Sequence, residues 1–362
     1  MTVSSSPTPT PTINCVDETF AALTERQRIG QLFHLGLIDD VLSTDTASAI
    51  RTYGFGSVWF TETTSAGQAA IRAVADQVQA LAATSTGGIR FFVAANQEGG
   101  LIQALRGPGF SAIPSAVDQG QMDPDTLKVQ ARTWGRELVK AGVNMDFAPV
   151  MDVVPPGAED TNQPIGVLMR EYGNDPDTVG RQGSAFLTGM ARAPVATSAK
   201  HFPGLGRVVG NTDNTADVVD TTTTPNDPYL DSFRAAIDAG APFVMVALAT
   251  YTKIDPDHLA AFSPAVIQGV LRGDLGFDGV VISDDIGAAA AVASIAPADR
   301  AVDFLDAGGD LIISKTLDPA VEMAEALFAK VNDDAALRAR VDEAVRRILA
   351  AKDSFGLLPC SG

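Results

Sequence analysis

Short apolar, β-branched runs recur eight times along the chain, at residues 31–37, 57–60, 90–95, 144–150, 196–200, 242–248, 279–283 and 310–314, and this repetition narrows the fold more than any other feature. Stretches rich in Ala, Leu, Gln and Arg separate them, among them 67–83, 125–141, 175–191, 228–239 and 263–271, and these are predicted to be helices. Runs that are apolar throughout, rather than alternating, are buried on both faces. Strands of that kind joined by helices form a parallel sheet, and eight such units suggest closure into a single (β/α)8 barrel. An open doubly wound sheet is the alternative. The last stretch, 318–352, spaces Val341, Val345, Ile348 and Leu349 as helices packed on the outside of the barrel would, and nothing is left over for a second domain.

Of the 362 residues 46% are hydrophobic, enough to fill one large core. The 26 Lys and Arg against 44 Asp and Glu leave a formal charge of −18, which repels nucleic acid and anionic lipid surfaces, so neutral ligands are the expected partners. No apolar run approaches the roughly 20 residues of a membrane helix, and residues 1–14 are not expected to act as a signal peptide. His34, His201 and His258 are scattered, with His34 in an apolar strand as a core residue, so neither a metal nor another cofactor is expected. Residues 4–12, SSSPTPTPT, favour extended polyproline conformations, and 1–14 are read as a tether ahead of a folded domain at 15–362. A frayed terminus is the bland alternative. Such tethers follow the cleavage site of exported or lipid-anchored bacterial proteins, so an exported, extracellular or envelope-associated location is expected, with a lipid anchor in the full-length form. Cys15 and Cys360 flank the folded part, and a disulfide joining its ends is expected, with two free thiols as the alternative.

In a barrel of this kind the chemistry sits at the carboxyl ends of the strands. Four strand ends carry polar residues: 96–100 (NQEGG), 146–152 (DFAPVMD), 200–204 (KHFPG) and 283–285 (SDD). Any one of these acids could simply cap the next helix, and Lys200 with His201 could be a structural pair. Their coincidence at four strand ends points to a site.

The strings KHFPGLG (200–206), NQEGG, NMDFAPVMDV, IGVLMREYG (165–173) and VVISDD resemble glycoside hydrolase family 3, and are most similar to its single-domain bacterial β-N-acetylglucosaminidases. The resemblance implies a (β/α)8 barrel and a retaining exo-glycosidase that works through a covalent glycosyl-enzyme. Carried over residue by residue, it puts Asp284 at the nucleophile and Lys200, His201 and Arg170 on the sugar, where the lysine's charge would also favour ionised Asp284. It makes Asp152 a strand-end acid of the substrate site. The substrate expected is a terminal sugar of a cell-envelope glycan; the oligomeric state is left open.

Several positions depart from the family pattern. Where the N-acetylglucosaminidases carry an Asp-Ser-His triplet whose histidine is the acid/base, this chain reads Gly210-Asn211-Thr212-Asp213-Asn214. Asp213 is therefore the expected acid/base: the like charge of Asp284 would keep it protonated until Asp284 is glycosylated. Asp217 is the substitute, and a merely solvated loop the bland reading. A carboxylate there would repel phosphate, favouring hydrolysis over phosphorolysis. A glutamate from a second domain, the family's other acid/base, is not expected because the barrel takes up the sequence. Asn96 replaces an aspartate that grips sugar hydroxyls, Leu101 and Ala104 replace arginines, and Leu248 replaces a frequent histidine. A changed sugar is expected, with arabinofuranose or galactofuranose as candidates. A catalytically retired glycan-binding barrel is the remaining alternative.

Overall fold

A computed structural model describes residues 14–360. The expected tether at 1–14 lies outside the described residues apart from Asn14. That residue belongs to the folded part, one position earlier than expected, because its side chain accepts from Asp17 N and caps helix α1 (Cys15–Ala22). Helix α2 (Glu25–Gln31) follows behind a capping box of Thr24 and Gln27.

Eight parallel strands then close into a barrel: β1 (Phe33–Leu37), β2 (Ser57–Phe60), β3 (Phe92–Ala95), β4 (Met145–Asp146), β5 (Ala196–Phe202), β6 (Phe243–Val246), β7 (Val280–Asp285) and β8 (Leu311–Ser314). Closure is made by β1 pairing with β8, Phe33 opposite Ile312 and His34 opposite Ile313, which excludes the open sheet. All eight strands were anticipated, with differences at several of their ends. Gln31 ends α2 instead of opening β1. The fourth run, expected over 144–150, is regular only at Met145–Asp146, since Pro149 has no N–H for a ladder; beyond it the pairing with β5 persists as one bridge, Val150 to Lys200. β5 runs two residues further than expected, carrying His201 and Phe202 into the site region.

The helices after the successive strands are α3 (Thr44–Tyr53), α4 (Gln68–Gln79), α5 (Pro124–Lys140), α6 (Pro176–Ala191), α7 (Asp231–Asp238), α8 (Ala265–Asp274), α9 (Pro297–Asp306) and α10 (Leu317–Lys330). Their starts are written in the sequence: Asp123 caps α5 and Asp175 caps α6, each with Pro in the first turn. α8 is a wide helix of i→i+5 type, a detail its apolar spacing did not announce. The terminal stretch splits at 331–334 into α10 and α11 (Ala335–Ser354), and Val341, Val345, Ile348 and Leu349 are buried as the spacing required.

Phe33, Phe60, Phe92, Phe202 and Phe243 from five different strands are fully buried. His34 is a core residue as expected: its Nε2 lies 2.8 Å from Val58 O, and burial pushes its pKa down to about 3. Cys15 and Cys360 are joined in a disulfide that ties α1 to the end of the chain across 345 residues. No described helix is long and apolar enough to cross a membrane, and the described residues hold no group of three or more His, Cys, Asp or Glu able to bind a metal.

Candidate active site

The residues that follow β5 fix the first part of the site. Lys200 is 2% exposed; its Nζ donates to Asn96 Oδ1 at 2.8 Å and lies 2.5 Å from Glu98 Oε1. Glu98 also receives a two-pronged contact from Arg170, Nε to Oε2 and Nη2 to Oε1, both at 2.8 Å. Burial alone would push Glu98 up, but the charges of Arg170 and Lys200 overcome it and hold the carboxyl down to about 2. The same pairing keeps Arg170 charged, its pKa raised by Glu98 against the effect of burial.

His201 donates from Nδ1 to Asp152 Oδ2 at 2.7 Å, and Asp152 also accepts from the backbone N–H groups of His201 and Leu205. That contact leaves Nε2 of His201 as the free face of the ring, 3.4 Å from Arg170 Nη2. Asp152 itself is wholly buried and does not line the cavity, which corrects the expectation that it touches substrate: its lone pairs are used on His201 and the β5 loop.

Two loops are stitched over the strand ends. Asn162 donates from Nδ2 to Leu205 O and Val208 O, both at 2.7 Å, and accepts from Ile165 and Gly166 N–H, locking the Arg170 loop onto the one after β5. Gly206 is a point of close approach, since a Cβ there would sit 1.9 Å from Val153 O. Further along, Asn211 Oδ1 accepts from Asp213 N–H at 2.9 Å. Ala290 and Ala291, just past β7, donate to Asp213 O and Thr212 O at 3.1 Å. This seam holds Asp213 over the strand end that carries Asp284.

The result is a cavity of about 550 Å³, within the usual range for small-ligand sites. Asp284, Asp213, Lys200, His201, Arg170 and Asn96 all line it, and Trp59, Phe147, Met245 and Ile313 supply apolar wall. Asp213 is itself exposed at the lip of the cavity, and the protein atoms around its carboxyl still displace enough water to act on it. Burial is the largest influence and raises its pKa, the charge of Asp284 raises it further, and His201, Arg170 and Lys200 pull the other way. Asp285, next to Asp284, is pushed up to about 6, chiefly by burial, against the pull of backbone N–H groups of Lys315, Gly287 and Ala288. Asp217, the substitute acid, does not line the cavity. Of the four substituted sugar-recognition positions, Asn96 lines it, whereas Leu101 is 55% exposed and Ala104 and Leu248 are buried in the core. The residue-level reading passed over Glu98, although it stood in the strand-end string NQEGG. A carboxylate that never reaches the cavity has no local signal beyond that position.

Paired carboxylates, cations and a histidine in a sugar-sized cavity at the carboxyl end of a closed barrel define a glycosidase-type site. Residues 24–351 match the family described as Glycosyl hydrolase family 3 N terminal domain, and the chain belongs to that family. The β-N-acetylhexosaminidase of Beutenbergia cavernae DSM 12333 is 48% identical, with a TM-score of 0.89 over 92% of this chain and 99% of that one. The β-N-acetylglucosaminidase of Paenibacillus sp. str. FPU-7 is 28% identical, with a TM-score of 0.84 over 93% of this chain and 63% of that one. A β-hexosaminidase of Stenotrophomonas maltophilia (strain R551-3) is 35% identical over 260 residues, 68% of this chain and 69% of its own. The chain is thus a glycosidase of the β-N-acetylhexosaminidase-like branch of family 3.

Proposed function

We propose that this chain is a retaining, exo-acting hydrolase of terminal hexosaminides, with Asp284 as nucleophile and Asp213 as acid/base. The observation that carries the reading is the placement of both carboxyls on one cavity, with Asp213 raised by burial and by the charge of Asp284. In the first step the Asp284 carboxylate attacks the anomeric carbon while the bond to the leaving oxygen breaks, and Asp213 gives its proton to that oxygen. Esterified Asp284 no longer carries charge, so the pKa of Asp213 falls and it becomes a base. It then takes a proton from water, which attacks the anomeric carbon and frees Asp284. Arg170, Lys200 and His201 hold ring hydroxyls. A carboxylate in place of a histidine acid/base disfavours phosphate as acceptor, so free sugar, and no sugar 1-phosphate, is the expected product in phosphate buffer.

The sugar preference rests on Asn96. Its amide oxygen is already engaged by Lys200, so a charged acceptor for sugar hydroxyls is missing from this wall. Weakened grip on N-acetylglucosamine follows, with arabinofuranosides or galactofuranosides as the alternative substrates. Export to an oxidising compartment is the part of this reading that the Cys15–Cys360 disulfide supports; envelope glycan as substrate and a lipid anchor in the full-length form are further proposals.

The test pairs Asp213→Ala with a panel of nitrophenyl glycosides. Loss of activity on poor leaving groups, with rescue by azide as a β-glycosyl azide, is expected; an Asp213→Ala enzyme that turns over natural glycosides unchanged refutes the assignment. A fluorinated glycoside should leave a covalent adduct on Asp284. Tight sugar binding with neither adduct nor turnover would establish the retired, glycan-binding barrel instead, and the panel itself separates hexosaminide from furanoside.

A further inference from the structure

Two cations line the cavity wall near Asp213, and each is bound to one carboxylate that does not reach the cavity. Glu98 is 5% exposed and sits behind the wall, with Arg170 on both of its oxygens and Lys200 Nζ at 2.5 Å. Without Glu98 the wall would present two unbalanced positive charges to a carboxyl that must hold a proton. We infer that Glu98 is a positioning residue of this site: it anchors Arg170 and Lys200 against the cavity and cancels one of their two charges, so that the fixed charge facing Asp213 is balanced by Asp284 alone. The inference rests on the reading of Asp213 as acid/base for its consequence, though the charge balance it describes is a property of the resting protein.

The other charged groups around the two carboxyls do not supply this balance. Facing Asp213 are Asp284, Arg170, Lys200 and His201, the last paired with Asp152, while Asp285 and Lys315 complete the charged lining. Facing Glu98 beyond its two cations are Asp146 and Tyr172. Asp146 is fully buried, and burial pushes it up to about 7; its Oδ2 has no partner, so it is a poor counter-ion for Lys200 near neutral pH. Lys315 contacts Glu62 at 3.9 Å on the opposite rim. Glu98 is thus the one carboxylate in close ionic contact with both wall cations among the described residues.

The electrostatic effect is large enough to measure. One charge removed from a partly buried site shifts a nearby carboxyl by about 0.5–1 pH unit. The experiment is a carbon-13 NMR titration of aspartate carboxyls in the full protein, with the Asp213 signal assigned by its loss in Asp213→Asn. In Glu98→Gln the Asp213 midpoint should fall by about 0.5–1 unit. In Glu98→Asp, which keeps the charge, it should stay, and KM should rise as Arg170 and Lys200 lose their seat. In the double variant Glu98→Gln/Lys200→Met one cation leaves with the anion, and the midpoint should return toward that of the parent. An unmoved midpoint in Glu98→Gln, or a drop that persists in the double variant, overturns the inference. If Glu98→Gln fails to fold, Lys200→Met against the double variant reads the same charge: the midpoint should be higher in Lys200→Met, and equality refutes the proposal. Because the readout is a resting titration, it stands whether or not azide rescues Asp213→Ala, so failure of the acid/base assignment and failure of this inference are separate results.

Discussion

Replacing Lys352 by methionine should abolish a rise in stability between pH 7 and pH 9 that the parent protein shows. Lys352 lies in α11 and its ammonium is fully buried at the amino-terminal end of the barrel, donating to Gln31 Oε1 and Gly56 O, both at 2.8 Å, with the Phe92 ring 5.8 Å away. No carboxylate is among its partners, and burial pushes its pKa down to about 7. The unfolded chain keeps an ordinary lysine pKa near 10.4, so between pH 7 and 10 the unfolded state binds more protons than the folded one, and stability rises with pH. Integrating from pH 7 to pH 9 gives about 2 kcal/mol. The window is separated from the buried acids. Asp146 and Glu171, each pushed up to about 7 by burial, are protonated in the folded state, so they make stability fall as pH rises from about 4 to 7 and contribute little change above it. Urea denaturation of parent and Lys352→Met at constant ionic strength is the assay. The variant loses absolute stability, because Gln31 and Gly56 lose a donor, and so the pH slope is the quantity compared. A parent curve that is flat from pH 7 to 9, or a variant with the same rise, refutes the reasoning.

Gly206→Ala should lower stability by about 2–3 kcal/mol and reduce activity, because its Cβ would meet the Val153 carbonyl at 1.9 Å and push the Asp213 loop off its seat; thermal melting and kcat/KM check both. Asp152→Asn should cost about 10- to 100-fold in kcat/KM, since His201 Nδ1 loses the charged acceptor that orients the ring, and an unchanged rate would show that His201 needs no such partner. Cys15→Ser should lower stability by on the order of 5 kcal/mol in the chain-entropy account of a 345-residue loop, with no change in substrate affinity; equal melting with and without reductant would contradict this.

The strand runs were legible in the sequence because a barrel interior buries both faces of every strand, and that leaves an apolar run whatever the tertiary detail. The capped starts of α5 and α6 were legible for a similar reason, since Asp followed by Pro satisfies a helix end locally. Asp284, Lys200 and His201 stood out as polar residues at strand ends, and Asn162 did not, because its work is to join two loops far apart in the chain. Asp152 was noticed but assigned to substrate; only its contact with His201 shows that it acts on another side chain.

Local pattern therefore settled what each segment would bury and where the chain would turn, for these depend on neighbours within a few residues. Whether Asp213 faces Asp284, whether Lys200 and Arg170 share Glu98, and whether Lys352 lies among uncharged partners were decided by tertiary packing alone. Charges interact through space, and their distances are set by how the barrel closes and not by their separation along the chain.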